Sequence, residues 1–171
     1  MKLLMVCMGN VCRSPMAQVV ALRMVEQAGL ARDILVDSAG THAGSSRETA
    51  DSRAQAALAA RGYPACTSRA RRIMESDFDR NDLILAMDQA NLDALRRQCT
   101  AENQHKLHLF LEFAQCVGGG EIPDPYYGNA EGFEHVLDLC EAGARGLVER
   151  LQKAQWAAAP TPAIAAGTSV P

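Results

Sequence analysis

Short apolar runs alternate along this chain with longer segments in which apolar residues recur every three or four positions. The runs occupy residues 2–6, 34–37, 82–87 and 106–110. Segments with helical spacing occupy residues 14–29, 50–61, 89–98 and 130–155. This order predicts a single α/β domain, in which a four-stranded parallel sheet carries helices on both faces.

The same order is typical of three-layer folds of the Rossmann-like or flavodoxin-like kind, whose ligands bind where the strands end. Ser14 is predicted to cap the first helix, with Pro15 in its first turn. Asp88 is predicted to cap the helix over residues 89–98. After the fourth strand the chain could continue as helix to Ala114.

Two polar stretches and the end of the chain show no helix or strand pattern. Residues 38–49 and 116–128 are predicted loops, and the second is long enough to indicate a functional role. From residue 157 onward Ala, Pro, Thr and Gly dominate, a composition that cannot bury enough surface to become ordered. The domain is therefore predicted to cover residues 1–155, and residues 156–171 are predicted to be a flexible tail.

The composition narrows the class of protein. With 171 residues, 48% of them hydrophobic, the chain can bury one core but is too short for two ordinary domains. The net charge of −3 and the lack of a Lys- or Arg-rich run argue against nucleic acid binding. No apolar run approaches the length that spans a membrane, and the first residues do not resemble a signal peptide. A soluble cytoplasmic protein is therefore expected.

Six cysteines are scattered along the chain without the spacing of a disulfide framework or of zinc ligands. Most of them are therefore expected to be ordinary structural thiols. Neither a metal nor a cofactor is expected. Cys7 stands in a different context from the others.

Residues 7–14 read Cys-Met-Gly-Asn-Val-Cys-Arg-Ser, a C-x5-R-S sequence between the first predicted strand and the first predicted helix. Gly9 and Asn10 would let the backbone turn through positive φ, and the helix would point its unpaired N–H groups at a bound phosphate. Cys7 would lie beside this helix terminus and Arg13 as a nucleophilic thiolate. The guanidinium of Arg13 can bind two phosphate oxygens at once.

A candidate acid lies far along the chain at Asp124, between two prolines. Cleavage of a phosphate ester by a thiolate releases an alkoxide or phenoxide, and a carboxylic acid can protonate that oxygen. Tyr126 and Tyr127 follow, and their rings suit an aromatic leaving group. Because parallel strands end at one edge of the sheet, Asp124 and Ser38 are both expected to lie near the Cys7 loop.

Four segments together resemble the low-molecular-weight protein tyrosine phosphatases. They are residues 6–15, the Asp-Ser-Ala-Gly of residues 37–40, the Met-Asp-Gln-Ala-Asn-Leu of residues 87–92 and the Asp-Pro-Tyr-Tyr-Gly of residues 124–128. A C-x5-R sequence alone also occurs in unrelated phosphatases, but its combination with a distal Asp-Pro-Tyr-Tyr is specific. The resemblance spans roughly residues 1–155.

The resemblance implies a protein tyrosine phosphatase that works through a phosphocysteine intermediate. Cys7 would be the nucleophile, Arg13 would bind phosphate and stabilise the transition state, and Asp124 would act as general acid and then as general base. Tyr126 and Tyr127 would form an aromatic wall of the substrate slot. The remaining residues of the phosphate-binding loop would be Met8, Gly9, Asn10, Val11, Cys12 and Ser14.

Some of these residues have more specific roles in the family. The residue matching Ser14 donates a hydrogen bond to the thiolate. The residue matching Asn10 is held in a left-handed conformation by a polar network that includes the position of Ser38. Cys12 matches a second loop cysteine, which in relatives can form a reversible disulfide with the nucleophile and protect it from overoxidation. A small buried residue behind the loop needs no redox role, so both interpretations of Cys12 stay open.

Two positions depart from the family pattern. Ser68 stands where many relatives have a histidine that supports the loop asparagine, which predicts a rewired or water-filled network. Gly44 stands where relatives have a bulky aromatic residue opposite the tyrosines. The slot is therefore expected to be wider, with His42 as the one nearby ring on that side.

Three other functions remain open on the sequence: an arsenate reductase or a protein arginine phosphatase of the same fold, or a module that binds phosphotyrosine without cleaving it. The reductase uses two further cysteines on one mobile segment, whereas residues 82–98 contain none. Arginine phosphatases of the family typically carry Thr at the position of Val11, and Val11 suits a flat phenyl ring better than a guanidinium.

The expected partners follow from this interpretation. They are tyrosine-phosphorylated proteins, with a bacterial tyrosine kinase as one candidate, and phosphate or other oxyanions that would inhibit at the loop. Neither nucleic acid nor a membrane is an expected partner. The chain is expected to be a monomer, with weak dimerisation left open.

Overall fold

The four strands are parallel and form one sheet, as the apolar runs predict. They are β1 (Lys2–Cys7), β2 (Leu35–Gly40), β3 (Leu83–Ala86) and β4 (Leu107–Leu109), in the order β2-β1-β3-β4. The structure is a computed structural model that describes residues 1–44, 48–114 and 120–153. The predicted tail, the boundary at residue 155 and part of the predicted loop 116–128 lie outside these ranges.

Helices cover both faces of the sheet, which confirms the predicted α/β fold. They are α1 (Arg13–Gln27), α2 (Ser52–Ala60), α3 (Glu75–Arg80), α4 (Gln89–Gln98) and α5 (Ala130–Gln152). Successive residues of a strand point to opposite faces, so Leu3 and Met5 pack with α1, α2 and α5. Leu4 and Val6 pack with α3 and α4 on the other face. The central strand β1 is therefore buried on both sides.

Two boundary predictions are wrong. β2 does not end before Ser38 but continues to Gly40, because it pairs with β1 as far as the Cys7–Gly40 partners. The first helix begins at Arg13, so Ser14 lies inside α1 and does not cap it. Asp88, in contrast, caps α4 as predicted, since its side chain accepts the N–H of Asn91.

The short helix α3 has no counterpart among the predicted elements. Its six residues read Glu-Ser-Asp-Phe-Asp-Arg, so Phe78 is its one apolar residue and no helical periodicity can appear. The carboxylate of Asp77 accepts the N–H of Met74 at 2.8 Å and forms an ion pair with Arg71. Side-chain hydrogen bonds and one buried ring therefore define α3, and the pattern of apolar positions does not.

The carboxyl ends of β1 and β3 bring distant segments to one edge of the sheet. Cys7 is the last residue of β1, and Asp88 follows the end of β3 by two positions. The N–H of Ile122 donates to the carbonyl of Met87 at 2.8 Å, which holds the returning chain beside β3. Asp124 is thereby placed at the same edge as the Cys7 loop.

Candidate active site

The loop between β1 and α1 turns at Asn10. Asn10 has a φ of 57°, and within the described ranges it is the one non-glycine residue with a positive φ. Asn tolerates this left-handed region because its short side chain can form local hydrogen bonds. Gly9 has no positive φ, so the prediction that both residues turn through the left-handed region is wrong for Gly9.

The buried side chain of Asn10 is hydrogen-bonded through both of its polar atoms. Its Nδ2 donates to Ser14 Oγ and to Ser38 Oγ, each at 2.9 Å. Its Oδ1 accepts the backbone N–H of Arg71 at 2.9 Å. The loop is therefore tied to α1, to β2 and to the segment that precedes α3.

Two groups that can donate hydrogen bonds surround the sulfur of Cys7. Ser14 Oγ lies 3.0 Å from Sγ, and the N–H of Asn10 donates to Sγ at 3.2 Å. A thiolate can only accept hydrogen bonds, so Ser14 is the donor when Cys7 is ionised. The place of Ser14 inside the first turn of α1 is what directs its hydroxyl at the sulfur.

Gln18 completes the network around the serine at position 68. Its Oε1 accepts the hydroxyl of Ser38 at 2.7 Å and that of Ser68 at 3.2 Å. Its Nε2 donates to the carbonyl of Val36 at 3.3 Å. Ser68 does not reach Asn10 itself but supports it through Gln18 and Ser38. The side chains of this network, Asn10, Ser14, Ser38, Gln18 and Ser68, are all uncharged.

Arg13 is buried and held by acceptors from two other parts of the chain. Its Nη1 donates to Asp88 Oδ2 and, at 3.1 Å, to the carbonyl of Ile122. Its Nη2 lies 2.9 Å from Asp124 Oδ2, and 3% of its side chain is exposed. The guanidinium therefore has a defined orientation, and two carboxylates pair with it.

Asp124 lies at the open side of the site. Its Oδ1 accepts the N–H of Tyr126 at 3.2 Å, while Oδ2 pairs with Arg13. Its side chain is 41% exposed, so water or a bound molecule can reach it. The structure thus brings Cys7, Arg13 and Asp124 to one place, from β1, α1 and the loop before α5.

A cavity of about 230 Å³ opens above the loop. Its lining residues are Cys7, Met8, Gly9, Val11, Cys12, Arg13, Gly44, Glu48, Asp124, Tyr126 and Tyr127. On one side the rings of Tyr126 and Tyr127 meet edge to face, with 5.1 Å between centroids. Gly44 and Glu48 also line the cavity and contribute no ring. His42 does not line the cavity, and its ring contacts the Thr41 hydroxyl.

Cys12 lines this cavity and is buried. Burial raises the pKa of its thiol to about 12, and the neighbouring carboxylate of Asp51 adds to the shift. Cys12 is therefore a protonated thiol at neutral pH and a weak nucleophile.

Asp88 and Glu48 belong to the site although the sequence predicts no role for them there. Asp88 is predicted only as a helix cap, yet one of its oxygens caps α4 and the other binds Arg13. Its position at the end of a strand next to β1 is a signal that could have identified it, because neighbouring parallel strands end together. Glu48 lies in a polar loop in which no pattern distinguishes it.

The sequence model of the low molecular weight phosphotyrosine protein phosphatases matches residues 2–157. This match covers nearly the whole chain and includes every residue of the cavity. The chain belongs to this family. The low molecular weight phosphatase fold accounts for the parallel sheet and for the loop that joins β1 to α1.

Relatives from distant organisms extend this finding. A low molecular weight protein-tyrosine-phosphatase of Streptomyces coelicolor is 42% identical over 151 residues, which are 86% of this chain and 92% of that protein. Low molecular weight phosphotyrosine protein phosphatase 1 of Drosophila melanogaster is 40% identical over 157 residues, 89% of this chain and 98% of that protein. A protein tyrosine phosphatase from Entamoeba histolytica, crystallised with Hepes in its active site, is similar in structure with a TM-score of 0.85 and 37% identity, covering 91% of this chain and 99% of that one.

The described residues of this phosphatase contain neither a membrane-spanning helix nor a cluster of metal ligands. None of their helices is both long and apolar enough to cross a membrane. In the same residues, no group of three or more His, Cys, Asp and Glu side chains is arranged to hold a metal ion.

Proposed function

We propose that this chain hydrolyses phosphotyrosine in proteins through a phosphocysteine intermediate. The observation that carries the proposal is the single cavity of about 230 Å³ that presents a thiol, a buried guanidinium and a carboxylate together. Cys7 is the nucleophile, Arg13 binds the phosphate, and Asp124 is the general acid and then the general base.

The phosphate binds in the loop, against its backbone N–H groups and the N-terminus of α1. In the structure Arg13 Nη2 is paired with Asp124, and Nη1 is paired with Asp88. A bound phosphate oxygen takes the place of Asp124 on Nη2, which releases that carboxyl group toward the leaving oxygen. Asp88 keeps its contact and holds the guanidinium in orientation.

The first chemical step transfers the phosphoryl group to Cys7. The thiolate forms the S–P bond while the P–O bond to the tyrosine breaks. The carboxyl group of Asp124, protonated from solvent after phosphate has displaced it from Arg13, gives that proton to the departing phenolic oxygen. In the second step the Asp124 carboxylate accepts a proton from water, and the water oxygen displaces sulfur from phosphorus. Phosphate leaves, and Cys7 returns as a thiolate that Ser14 and the N–H of Asn10 stabilise.

The walls of the cavity favour an aryl phosphate. The two tyrosine rings on one side can stack on a substrate ring, an interaction worth roughly 0.5–1.5 kcal/mol beyond burial. Val11 lines the cavity and offers no hydrogen-bond acceptor from its side chain to a guanidinium. These contacts favour phosphotyrosine over phosphoarginine.

A panel of substrates tests the proposed function. Purified protein is assayed side by side with phosphotyrosine, phosphoserine and phosphoarginine, and with arsenate in the presence of a thiol reductant. We expect phosphate release from phosphotyrosine to be fastest, by at least about 10²-fold over phosphoserine, whose leaving alkoxide is poorer and whose side chain has no ring. Activity led by phosphoarginine or arsenate would contradict the proposal, and binding without turnover would indicate a non-catalytic module.

We propose further that Cys12 protects an oxidised Cys7 by forming a disulfide, at a rate that its own ionisation limits. Peroxide converts the Cys7 thiolate to a sulfenic acid, and the Cys12 thiolate then displaces hydroxide from that sulfur. Because the pKa of Cys12 is raised to about 12, its thiolate fraction increases about tenfold for each pH unit below that value. Peroxide-treated protein should therefore show faster disulfide formation at pH 9 than at pH 7, as followed by mass spectrometry of the Cys7–Cys12 peptide. Complete and equally fast formation at pH 6.5 would contradict this.

We propose tyrosine-phosphorylated proteins as the partners, a bacterial tyrosine kinase among the candidates, and a monomer as the working form. The cytoplasm is the proposed compartment, since Cys7, Cys12, Cys66, Cys99 and Cys140 are all free thiols, as a reducing environment allows. Phosphate and related oxyanions are proposed as competitive inhibitors, because they match the anion that the loop binds.

A further inference from the structure

Arg53, in the first turn of α2, contacts both the helix cap beside the phosphate-binding loop and the loop that carries Asp124. Its Nε and Nη2 donate to the two carboxylate oxygens of Asp51, at 3.0 Å and 2.8 Å. These hydrogen bonds hold the pKa of Asp51 below its ordinary value, so the pair is ionised at neutral pH. The backbone N–H of Asp51 in turn donates to the carbonyl of Val11 at 2.8 Å. One end of this arrangement is thus fixed to the phosphate-binding loop.

The other face of the Arg53 guanidinium reaches the turn after Asp124. Its Cζ lies 5.7 Å from the centroid of the Tyr126 ring and 4.7 Å from that of Phe133, within the range of cation–π attraction. Its Nη1 is 3.4 Å from the carbonyl of Gly128. Arg53 therefore contacts this turn at two points, the side chain of Tyr126 and the backbone carbonyl of Gly128.

That turn fixes the carboxylate of Asp124. The N–H of Gly128 donates to the carbonyl of Pro125 at 2.9 Å, which closes the turn. The N–H of Tyr126 donates to Asp124 Oδ1 at 3.2 Å. A shift of the turn would therefore displace both the aromatic wall and the carboxylate beside it.

We propose that Arg53 is a positioning residue that sets the distance between Asp124 and the phosphate-binding loop. The contacts run without interruption from Val11 through Asp51 and Arg53 to the turn that carries Asp124. This inference rests on the proposed function, because it gives Asp124 the task of protonating the leaving group. Loss of Arg53 leaves Cys7 and Arg13 in place but lets the acid move away from the leaving oxygen.

A purely structural role would have a different signature. The Arg53 side chain is 40% exposed, and exposed ion pairs contribute little to stability. Asp51 also caps α2 by accepting the backbone N–H of Arg53, a contact that Met or Lys at position 53 retains. Replacing Arg53 is therefore expected to slow protonation of the leaving group and to change the free energy of unfolding very little.

Leaving groups of different basicity separate the two roles. p-Nitrophenolate is a weak base and leaves without much help from an acid, whereas the phenolate from phenyl phosphate needs its proton. We expect Arg53→Met to lower kcat/KM for phenyl phosphate by about tenfold or more, and that for p-nitrophenyl phosphate by less than about threefold. Arg53→Lys, which keeps the cation but loses the planar fork, should give an intermediate ratio. Both substrates are measured on one sample, so the ratio is independent of the folded fraction.

Two further variants serve as controls for this experiment. Arg61, which directly follows α2, pairs with Glu134 and Asp138 of α5 away from the cavity. Arg61→Met should therefore leave the ratio of the two kcat/KM values unchanged. Adding Arg53→Met to Asp124→Ala should cause no further selective loss, since the acid is already gone. Equal losses for both substrates, or none, would overturn the role of Arg53. If Asp124→Ala itself shows no selectivity between the substrates, the proposed function fails instead.

Discussion

The Cys7→Ser protein is expected to hydrolyse p-nitrophenyl phosphate at least about 10⁴-fold more slowly than the parent protein. A serine hydroxyl stays protonated where a thiol can ionise. The hydrogen bonds from Ser14 and from the N–H of Asn10 therefore have no anion to stabilise in this variant. The replacement is close to isosteric, and Asn10 reaches Ser14, Ser38 and Arg71 without the sulfur. Inorganic phosphate should therefore still bind, as isothermal titration calorimetry can measure.

Cys99→Ser is the matched control for this loss. Its thiol donates to the carbonyl of Thr100 at 3.4 Å and lies outside the cavity, so turnover should remain within about twofold of the parent value. Undiminished turnover in the Cys7→Ser protein would remove Cys7 from the chemistry. Loss of turnover together with loss of phosphate binding would indicate instead that the loop had collapsed.

The main features of the fold could be predicted because they depend on local patterns. Each apolar run became a strand within a few residues, since a strand buried on both faces needs continuous apolar side chains. The meeting of Cys7 with Asp124 was also predictable from topology, because parallel strands end at one edge of the sheet. No side-chain detail was needed for either inference.

The end of β2 was missed because backbone pairing with β1 extends it, whereas other errors occur where a side-chain hydrogen bond outweighs the local pattern. Ser14 has the residue type of a helix cap, but its hydroxyl bonds to the Cys7 sulfur and to Asn10, so the helix begins before it. Gly9 could adopt a positive φ, yet Asn10 does so because three polar partners hold its side chain. Gln18 is polar on a helix, and nothing in the spacing of residues shows that Ser38 and Ser68 converge on it.

The Asp124→Ala protein is expected to lose about 10²–10⁴-fold in kcat/KM for phenyl phosphate, the range that a general acid supplies. Its loss for p-nitrophenyl phosphate should be smaller by about tenfold or more, because that leaving group requires little protonation. The same carboxylate also activates water in the second step. The phosphocysteine should therefore accumulate in this variant and be detected by mass spectrometry of acid-quenched protein.

Loss of the Arg13–Asp124 ion pair should have a second effect in the Asp124→Ala protein. Catalysis becomes slower, but phosphate binding becomes tighter. Asp124 Oδ2 lies 2.9 Å from Arg13 Nη2, so a phosphate oxygen that binds this nitrogen must displace the carboxylate. Removing the carboxylate removes this competitor and its negative charge, so inorganic phosphate should inhibit the Asp124→Ala protein several-fold more strongly than the parent. Glu131→Gln, in the first turn of α5, also removes a negative charge but lies outside the cavity and leaves Arg13 paired, so phosphate inhibition and the rate with phenyl phosphate should both stay at the parent values. Weaker phosphate inhibition in the Asp124→Ala protein would show that Asp124 does not compete for Arg13, and an equal loss with both aryl phosphates would show that it is not the acid.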